Sequence, residues 1–277
     1  MDIVHKIKRL VGLPEISQAR IRSFVRTMQG SLPKERTPQV VGTIAVVVPC
    51  YNHAGYLDRM FESILCQTRK PDEVIFVNDS SPDDTSEKLH YLTERYESSG
   101  IDFRVIDNER NIGQSASLNK AIREVTSDLV MILNDDDYLF HDAVEFAIDI
   151  VNNNTDVRLV GATSVHFDTD DRLEAENKYI RNMLDDTSLE LTFRYPGDVL
   201  RYKDYNDLNM THSGSCFLKS AWEAVGGYRP DKRQRLVPFS DRDFQLRVNA
   251  LFPVAISSKI PFSFWRSNSS VDRGVDS

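Results

Sequence analysis

Residues 43–52 read TIAVVVPCYN. A half-buried strand would alternate apolar and polar residues. An unbroken apolar run closed by a Pro/Asn turn instead fits a strand covered on both faces, as in a parallel sheet. The pattern then switches to helical spacing in AGYLDRMFESILCQ (54–67), returns to a strand in EVIFVN (73–78), and repeats. DTSEKLHYLTERYESS (84–99) reads as a helix, FRVID (103–107) as a strand, SASLNKAIREV (115–125) as a helix and DLVMIL (128–133) as a strand. Strand–helix alternation of this kind predicts an α/β, doubly wound, mostly parallel sheet.

Right-handed crossovers bring the C-terminal ends of such strands to one edge, where ligands bind. The segments that leave the strands are PCYN (49–52), Asp-Ser-Ser-Pro-Asp-Asp (79–84), NERNIG (108–113) and NDDD (134–137). Three adjacent acids at the last of these repel one another. Their position at the ligand edge predicts an offsetting positive partner, against the plainer reading of an acidic turn leading into a helix.

The 277 residues are 40% apolar and 27% charged, enough for one large domain with a sizeable core. The net charge of −8 speaks against a nucleic-acid partner, which Lys and Arg would have to neutralise. Residues 1–42 carry +5 and the remainder −13. Within 1–30, Ile3, Val4, Ile7, Leu10 and Val11 form one apolar helical stripe, and Ile21, Phe24, Val25 and Met28 another. Their basic polar faces suit docking on an anionic membrane surface, and the stripes equally suit packing on the domain or a partner chain. Cys50, Cys66 and Cys216 lack metal spacing and read as free thiols of a reducing compartment. No secretory h-region and no run near the ~20 apolar residues of a membrane span is expected.

The second half is less regular. HDAVEFAIDIVNN (141–153) reads as a helix, RLVGATSVHF (158–167) as one strand, and 167–211 is ambiguous. SGSCFLKSAWEAVGGYRP (213–230) reads as a strand and a short helix stopped at Gly226-Gly227. SDRDFQLRVNALF (240–252) reads as a helix with Ser240 as its cap. VAIS (254–257) and FSFWR (262–266) read as strands.

In order and spacing, VVVPCYN, EVIFVND, RNIGQSASLNKAI, LNDDDYL, GGYRP and SDRDFQLRV resemble family 2 glycosyltransferases with the GT-A fold, over about residues 43–270. The resemblance implies a nucleotide-sugar-binding half at 43–150 and an acceptor-binding half at 151–277; the charge and helical spacing of 1–42 mark that segment as a basic amphipathic helical extension and linker. The resemblance implies nucleotide contacts from Pro49 and Tyr51, with Tyr51 stacked on the base or else packed beneath the next loop. Asp79 would accept a base N–H, as suits uracil or thymine, or serve as a turn acid. Asn111 and Gly113 would shape the floor beneath the nucleotide, and Asn119 also fits the pattern. Leu118 stands where many relatives carry Arg, so no phosphate cation is expected there.

The family's Asp-x-Asp-Asp motif falls on Asn134–Asp137, with Asn134 in place of the first Asp. The resemblance assigns Asp136, with Asp137, to a Mn2+ or Mg2+ ion against the donor diphosphate, and Asn134 or Asp135 to the ribose. The base of an inverting transfer falls on Asp241, after Ser240 in place of the usual Glu. Asp243 is the second candidate, and Asp241 as a mere first-turn acid is the plain alternative. Arg266 fits the family's closing Arg-x-His segment, in which Asn268 replaces the common His, and is placed on the acceptor side; His212 reads either as an acceptor-side residue or as a structural histidine. No Gln-x-x-Arg-Trp motif of the processive synthases is present.

The resemblance thus implies a metal-dependent, inverting, non-processive glycosyltransferase. It would move a sugar from a UDP- or dTDP-sugar to a saccharide or lipid-linked acceptor in cell-surface polysaccharide synthesis. The setting would be cytoplasmic or peripheral on the inner membrane face. The alternative is a catalytically silent nucleotide-sugar-binding module of the same fold. A nucleotidyltransferase or dehydrogenase fits poorly, because no GxGxxG or other Gly-rich phosphate loop follows the first strand.

Overall fold

The computed structural model describes residues 23, 26–27, 40–169, 190–196 and 208–267. The apolar run forms β1 (Ile44–Cys50), buried along its whole length. Val46, Val47 and Val48 are fully enclosed, and each such side chain contributes about 1.5–3 kcal/mol of burial. The alternation continues as α1 (Leu57–Leu65), β2 (Glu73–Asn78), α2 (Thr85–Arg95), β3 (Asp102–Asp107), α3 (Gln114–Glu124) and β4 (Leu129–Ile132). α1 buries Leu57, Met60, Phe61 and Ile64, which is the i, i+3, i+4, i+7 stripe of an amphipathic helix. Phe61 stacks on Phe76 of β2 with ring centroids 4.6 Å apart, which fastens helix to sheet.

The chain goes on through β5 (Tyr138–Leu139), α4 (Ala143–Asn153), β6 (Leu159–Ala162), β7 (Ser164–Phe167), β8 (Leu191–Arg194) and β9 (Cys216–Leu218). It closes with α5 (Lys219–Val225), α6 (Ser240–Asn249), β10 (Val254–Ser257) and β11 (Ser263–Arg266). The main sheet has eight strands in the order β3-β2-β1-β4-β9-β6-β10-β8, and a second sheet has the order β5-β11-β7. β3, β2, β1 and β4 are mutually parallel, as the alternation predicts. β9 runs antiparallel to both β4 and β6. One sheet therefore spans both expected halves of the domain.

The reversal of β9 matters for the site. It brings the residues that precede β9, not those that follow it, to the edge where β1, β2 and β4 end. Gly214 N donates to Ile132 O at 2.8 Å, and Ile132 N donates to Ser215 O at 2.9 Å. Gly214 has φ +81°, and a Cβ there would lie 2.7 Å from the Phe262 Cβ, so this crossing needs glycine.

Three expectations change. RLVGATSVHF is two strands, because the chain breaks at Thr163 and passes from the main sheet to the small one. Ser240 is the first helical residue of α6, not its cap; Phe239 holds the cap position and no side chain caps the helix. The helices expected over 1–30 lie outside the described residues, apart from Ser23, Arg26 and Thr27, which have helical backbone. Cys50, Cys66 and Cys216 are free thiols, with only Cys66 exposed. Among the described residues no helix is long and apolar enough to cross a membrane.

Candidate active site

The turn after β1 presents Tyr51 at the sheet edge, 36% exposed. Asn52 follows with φ +59°, a conformation Asn tolerates, and its N–H donates to Ser81 Oγ at 3.0 Å. Pro49 lies in the buried end of the strand.

Asp79, buried after β2, folds the neighbouring loop around itself. Its Oδ1 accepts from Asn108 Nδ2 at 2.8 Å and Ile112 N at 2.9 Å, and its Oδ2 accepts from Gly113 N at 2.8 Å. A carboxylate has about four acceptor positions, so Oδ2 keeps one for a further donor. Gly113 has φ +84°, and Asn111 Oδ1 accepts from its N–H at 3.1 Å, within the loop. Asn119 serves structure: Oδ1 accepts from Trp222 Nε1 and Tyr228 N, and Nδ2 donates to Tyr228 O at 2.8 Å. That fastens α3 to the GGY turn.

The block 134–137 divides by residue. Asn134 lies between Gln114 Nε2, which donates to its Oδ1 at 3.1 Å, and Asp137 Oδ2, which accepts from its Nδ2 at 3.2 Å. Asp135 is buried and accepts from Tyr51 N and from His53 Nδ1, each at 2.9 Å. Both residues expected at the ribose are thus engaged inside the protein. Asp137 is fully enclosed; its Oδ2 also accepts from Ser213 Oγ, and its Oδ1 accepts from Arg266 N at 3.1 Å. Burial, and then the charge of Asp136, push its carboxyl well above the ordinary range. This departs from its expected place as a cation ligand, because its oxygens are committed to fixing the turn.

Asp136 differs from both neighbours. It is 8% exposed and accepts no hydrogen bond among the described residues. Its carboxylate, that of Asp135 and the His53 imidazole offer ligand atoms within 4.8 Å of one another. His53 is buried, and its Nε2 has no hydrogen-bond partner among the described residues. Burial opposes a charge on its imidazole, yet the hydrogen bond to Asp135 and the charges of Asp135, Asp136 and Asp83 raise its pKa. An open carboxylate close to an imidazole that carries an orphaned nitrogen fits a divalent cation.

The sequence motifs do not single out His53. Its only local mark is its place next to the rim turn, and its partner Asp135 stands in the motif's variable position.

Across the rim lie His212 and α6. His212 Nε2 and Tyr228 OH are 3.1 Å apart, and burial lowers the imidazole pKa against the nearby charge of Asp241. Asp241 and Asp243 both occupy the first turn of α6. Asp243 is fully enclosed, accepts from Arg247 Nε at 2.8 Å and also accepts from Leu236 N. It is therefore unavailable as a base. Asp241 is part-exposed and accepts no hydrogen bond among the described residues. Arg266 is buried, with its guanidinium 4.5 Å from the Tyr56 ring centre and 4.6 Å from that of Phe167, and it donates to Tyr138 OH at 2.6 Å. Arg266 is thus enclosed among aromatic rings next to the acidic turn, with its backbone N–H on Asp137.

Comparisons with known proteins agree with this architecture. The chain is 28% identical over 128 residues to poly-beta-1,6-N-acetyl-D-glucosamine synthase of Staphylococcus aureus, covering 46% of this chain and 30% of the synthase. It is 26% identical over 141 residues to an uncharacterized glycosyltransferase of Rickettsia bellii, covering 50% of this chain and 18% of that protein. The matches thus span less than a third of these relatives' own length. Among solved structures, S. aureus TarS in complex with UDP-GlcNAc superposes with a TM-score of 0.62 at 14% identity, over 84% of this chain and 62% of that one. The mannosyltransferase PcManGT of Pyrobaculum calidifontis, in complex with GDP-Man and Mn2+, superposes with a TM-score of 0.54 at 18% identity, over 88% of this chain and 64% of that one. At such identities the superpositions show the shared fold, a doubly wound and mostly parallel sheet. The family model of glycosyl transferase family 2 matches residues 45–225, well over half of the sequence, and the chain belongs to that family.

Proposed function

We propose that the chain transfers a sugar, with inversion and without processivity, from a UDP- or dTDP-sugar to a hydroxyl of a saccharide or lipid-linked acceptor in the making of a cell-surface polysaccharide. The supporting observation is a pair of open carboxylates, Asp136 and Asp241, whose acidic sequence neighbours Asp135, Asp137 and Asp243 are tied into the fold. In this reading Tyr51 stacks on the base, and Asp79 offers its remaining acceptor position to a base N–H while holding the loop 108–113. Asp136 holds Mn2+ or Mg2+, which when bound offsets the negative charge of the departing diphosphate. Asp241 takes the proton of the acceptor hydroxyl as that oxygen attacks the anomeric carbon and the bond to the diphosphate breaks. His212, kept neutral by burial, and Tyr228 lie beside the acceptor path. The donor half is 43–150, the acceptor half is 151–277, and the basic helical stripes of residues 1–30 offer contact with a membrane surface on the cytoplasmic side or pack on the domain or a partner chain. Relatives that carry a UDP-sugar or a GDP-sugar with Mn2+ support a nucleotide-sugar donor, and Asp79 favours the uridine type.

The test is thermal unfolding with UDP, dTDP, GDP and CDP, each with and without Mn2+, followed by transfer assays. A ligand at 100 times its Kd stabilises by ~2.7 kcal/mol. For a domain of this size that is a rise of roughly 5–10 °C in Tm. UDP or dTDP should give this rise with Mn2+, and Asp136→Asn should remove the metal dependence. A rise with no turnover on any donor would mark a silent binding module, and no rise with any nucleotide would sink the donor site.

A further inference from the structure

The geometry points to His53 as the second protein ligand of the cation, binding through Nε2 beside the Asp136 carboxylate, with Asp135 as the carboxylate that orients the imidazole. This assignment rests on the cation reading above and goes beyond it, since the acidic motif alone nominates only carboxylates. Three observations carry it.

First, Asp135 accepts a hydrogen bond from His53 Nδ1 at 2.9 Å and another from Tyr51 N. An ionised carboxylate can only accept, so the Nδ1 position carries the proton, and in the neutral ring the lone pair is on Nε2. A carboxylate–imidazole pair of this kind fixes the tautomer and ring direction of histidines that bind metals. Second, that Nε2 is buried without a partner, in a residue 7% exposed. An unpartnered polar atom in a protein interior calls for an occupant. Third, a ring nitrogen of His53 and carboxylate oxygens of Asp135 and Asp136 lie within 4.8 Å of one another, which brings the imidazole close to the open carboxylate.

Charge decides what the occupant is. Two carboxylates beside the imidazole repel a bare phosphate oxygen, whereas a divalent cation satisfies the lone pair and the open carboxylate together. The rest of the cation's coordination is left for water and donor oxygens. One nitrogen ligand also tilts preference toward Mn2+, because Mg2+ takes oxygen ligands almost exclusively.

The decisive experiment is pulsed electron paramagnetic resonance on the full chain loaded with Mn2+ and UDP, beside Mn2+ and Mg2+ titrations. Wild type should show electron-spin-echo modulation from a directly bound imidazole nitrogen, and His53→Ala should lose it. The same variant should bind Mn2+ about ten- to a hundredfold more weakly, with a smaller loss for Mg2+. Asp136→Asn should lose the ion altogether. Mn2+ that depends on Asp136 but shows no nitrogen modulation in wild type would overturn the His53 assignment and leave the cation reading standing. A wild type that takes up no Mn2+ even with UDP would overturn both. The deciding spectrum is recorded on the unaltered chain, so a poorly folded variant does not blur the outcome.

Discussion

Asp135–Asp137 after β4 and Asp241–Asp243 at the start of α6 each set one open carboxylate beside enclosed ones, but they balance charge differently. In the first cluster the enclosed acids are held by backbone amides, a hydroxyl, a side-chain amide and an imidazole. In the second, Asp243 is held by the guanidinium of Arg247, and neither side chain reaches solvent. Backbone amides, a hydroxyl and a side-chain amide fix a carboxylate without supplying positive charge, and one imidazole faces three acids, so the first cluster retains a demand for a cation. The second cluster is balanced within the protein. On the proposed reading its open member, Asp241, accepts a proton rather than binding an ion. The same residue type, at two places on one rim, is thereby suited to two tasks by its neighbours.

The comparison can be broken most sharply at Asp241. Asp241→Asn should lower kcat by about 10²–10⁴-fold while leaving the nucleotide-induced rise in Tm as in wild type. Loss of the nucleotide response in that variant would move Asp241 to the donor side and end the division of labour.

The anchored acids give the next largest effect. Asp243→Ala leaves Arg247 enclosed without its partner and should cost about 3–5 kcal/mol in urea unfolding. Asp137→Ala strands only neutral donors and should cost less, about 1–3 kcal/mol. Equal costs would mean that the two clusters are not balanced differently after all.

A third acid calibrates the pair at the smallest expected effect. Asp107, at the end of β3, is 40% exposed in its side chain and accepts from Asn78 Nδ2, Ser86 Oγ and His90 Nε2. Partial burial would raise its carboxyl, but these hydrogen bonds outweigh that and hold it below the ordinary range. A depressed folded value stabilises above the unfolded pKa of about 4, and that stabilisation is lost as the pH falls through the folded value. Wild type should therefore exceed Asp107→Asn in stability at pH 7, by a margin that closes in acid, as a pH series of urea unfolding curves would show.

The first four strands and their helices were legible because burial on both faces leaves unbroken apolar runs, and helices between them keep a 3.6-residue stripe. Strand direction carries no such mark. Nothing in Cys216–Leu218 says that it runs against β4, and the step at Thr163 from one sheet to the other hides inside a single apolar stretch. The motif located the acidic rim, but it could not rank its acids. Asp137 is tied down by Ser213 and Arg266, which lie 76 and 129 residues further along the chain. His53 reads locally as an ordinary loop residue, since its partner Asp135 is 82 positions away. The i, i+4 spacing of Asp243 and Arg247, by contrast, was open to reading on one helix face and separates Asp243 from Asp241.

The hydrogen bond from Arg266 N to Asp137 has a bearing on biosynthesis. β11, which carries Arg266, pairs with β5 on the far side of the acidic turn and with β7. While the nascent chain still ends short of β11, the turn that presents Asp136 lacks one of its fastenings, although β1 to β4 are already complete. The donor edge is thus finished only when β11, which follows β4 by well over a hundred residues, has been translated and docks. A ribosome-stalled chain cut before residue 263 should hold the central sheet and still bind a nucleotide poorly.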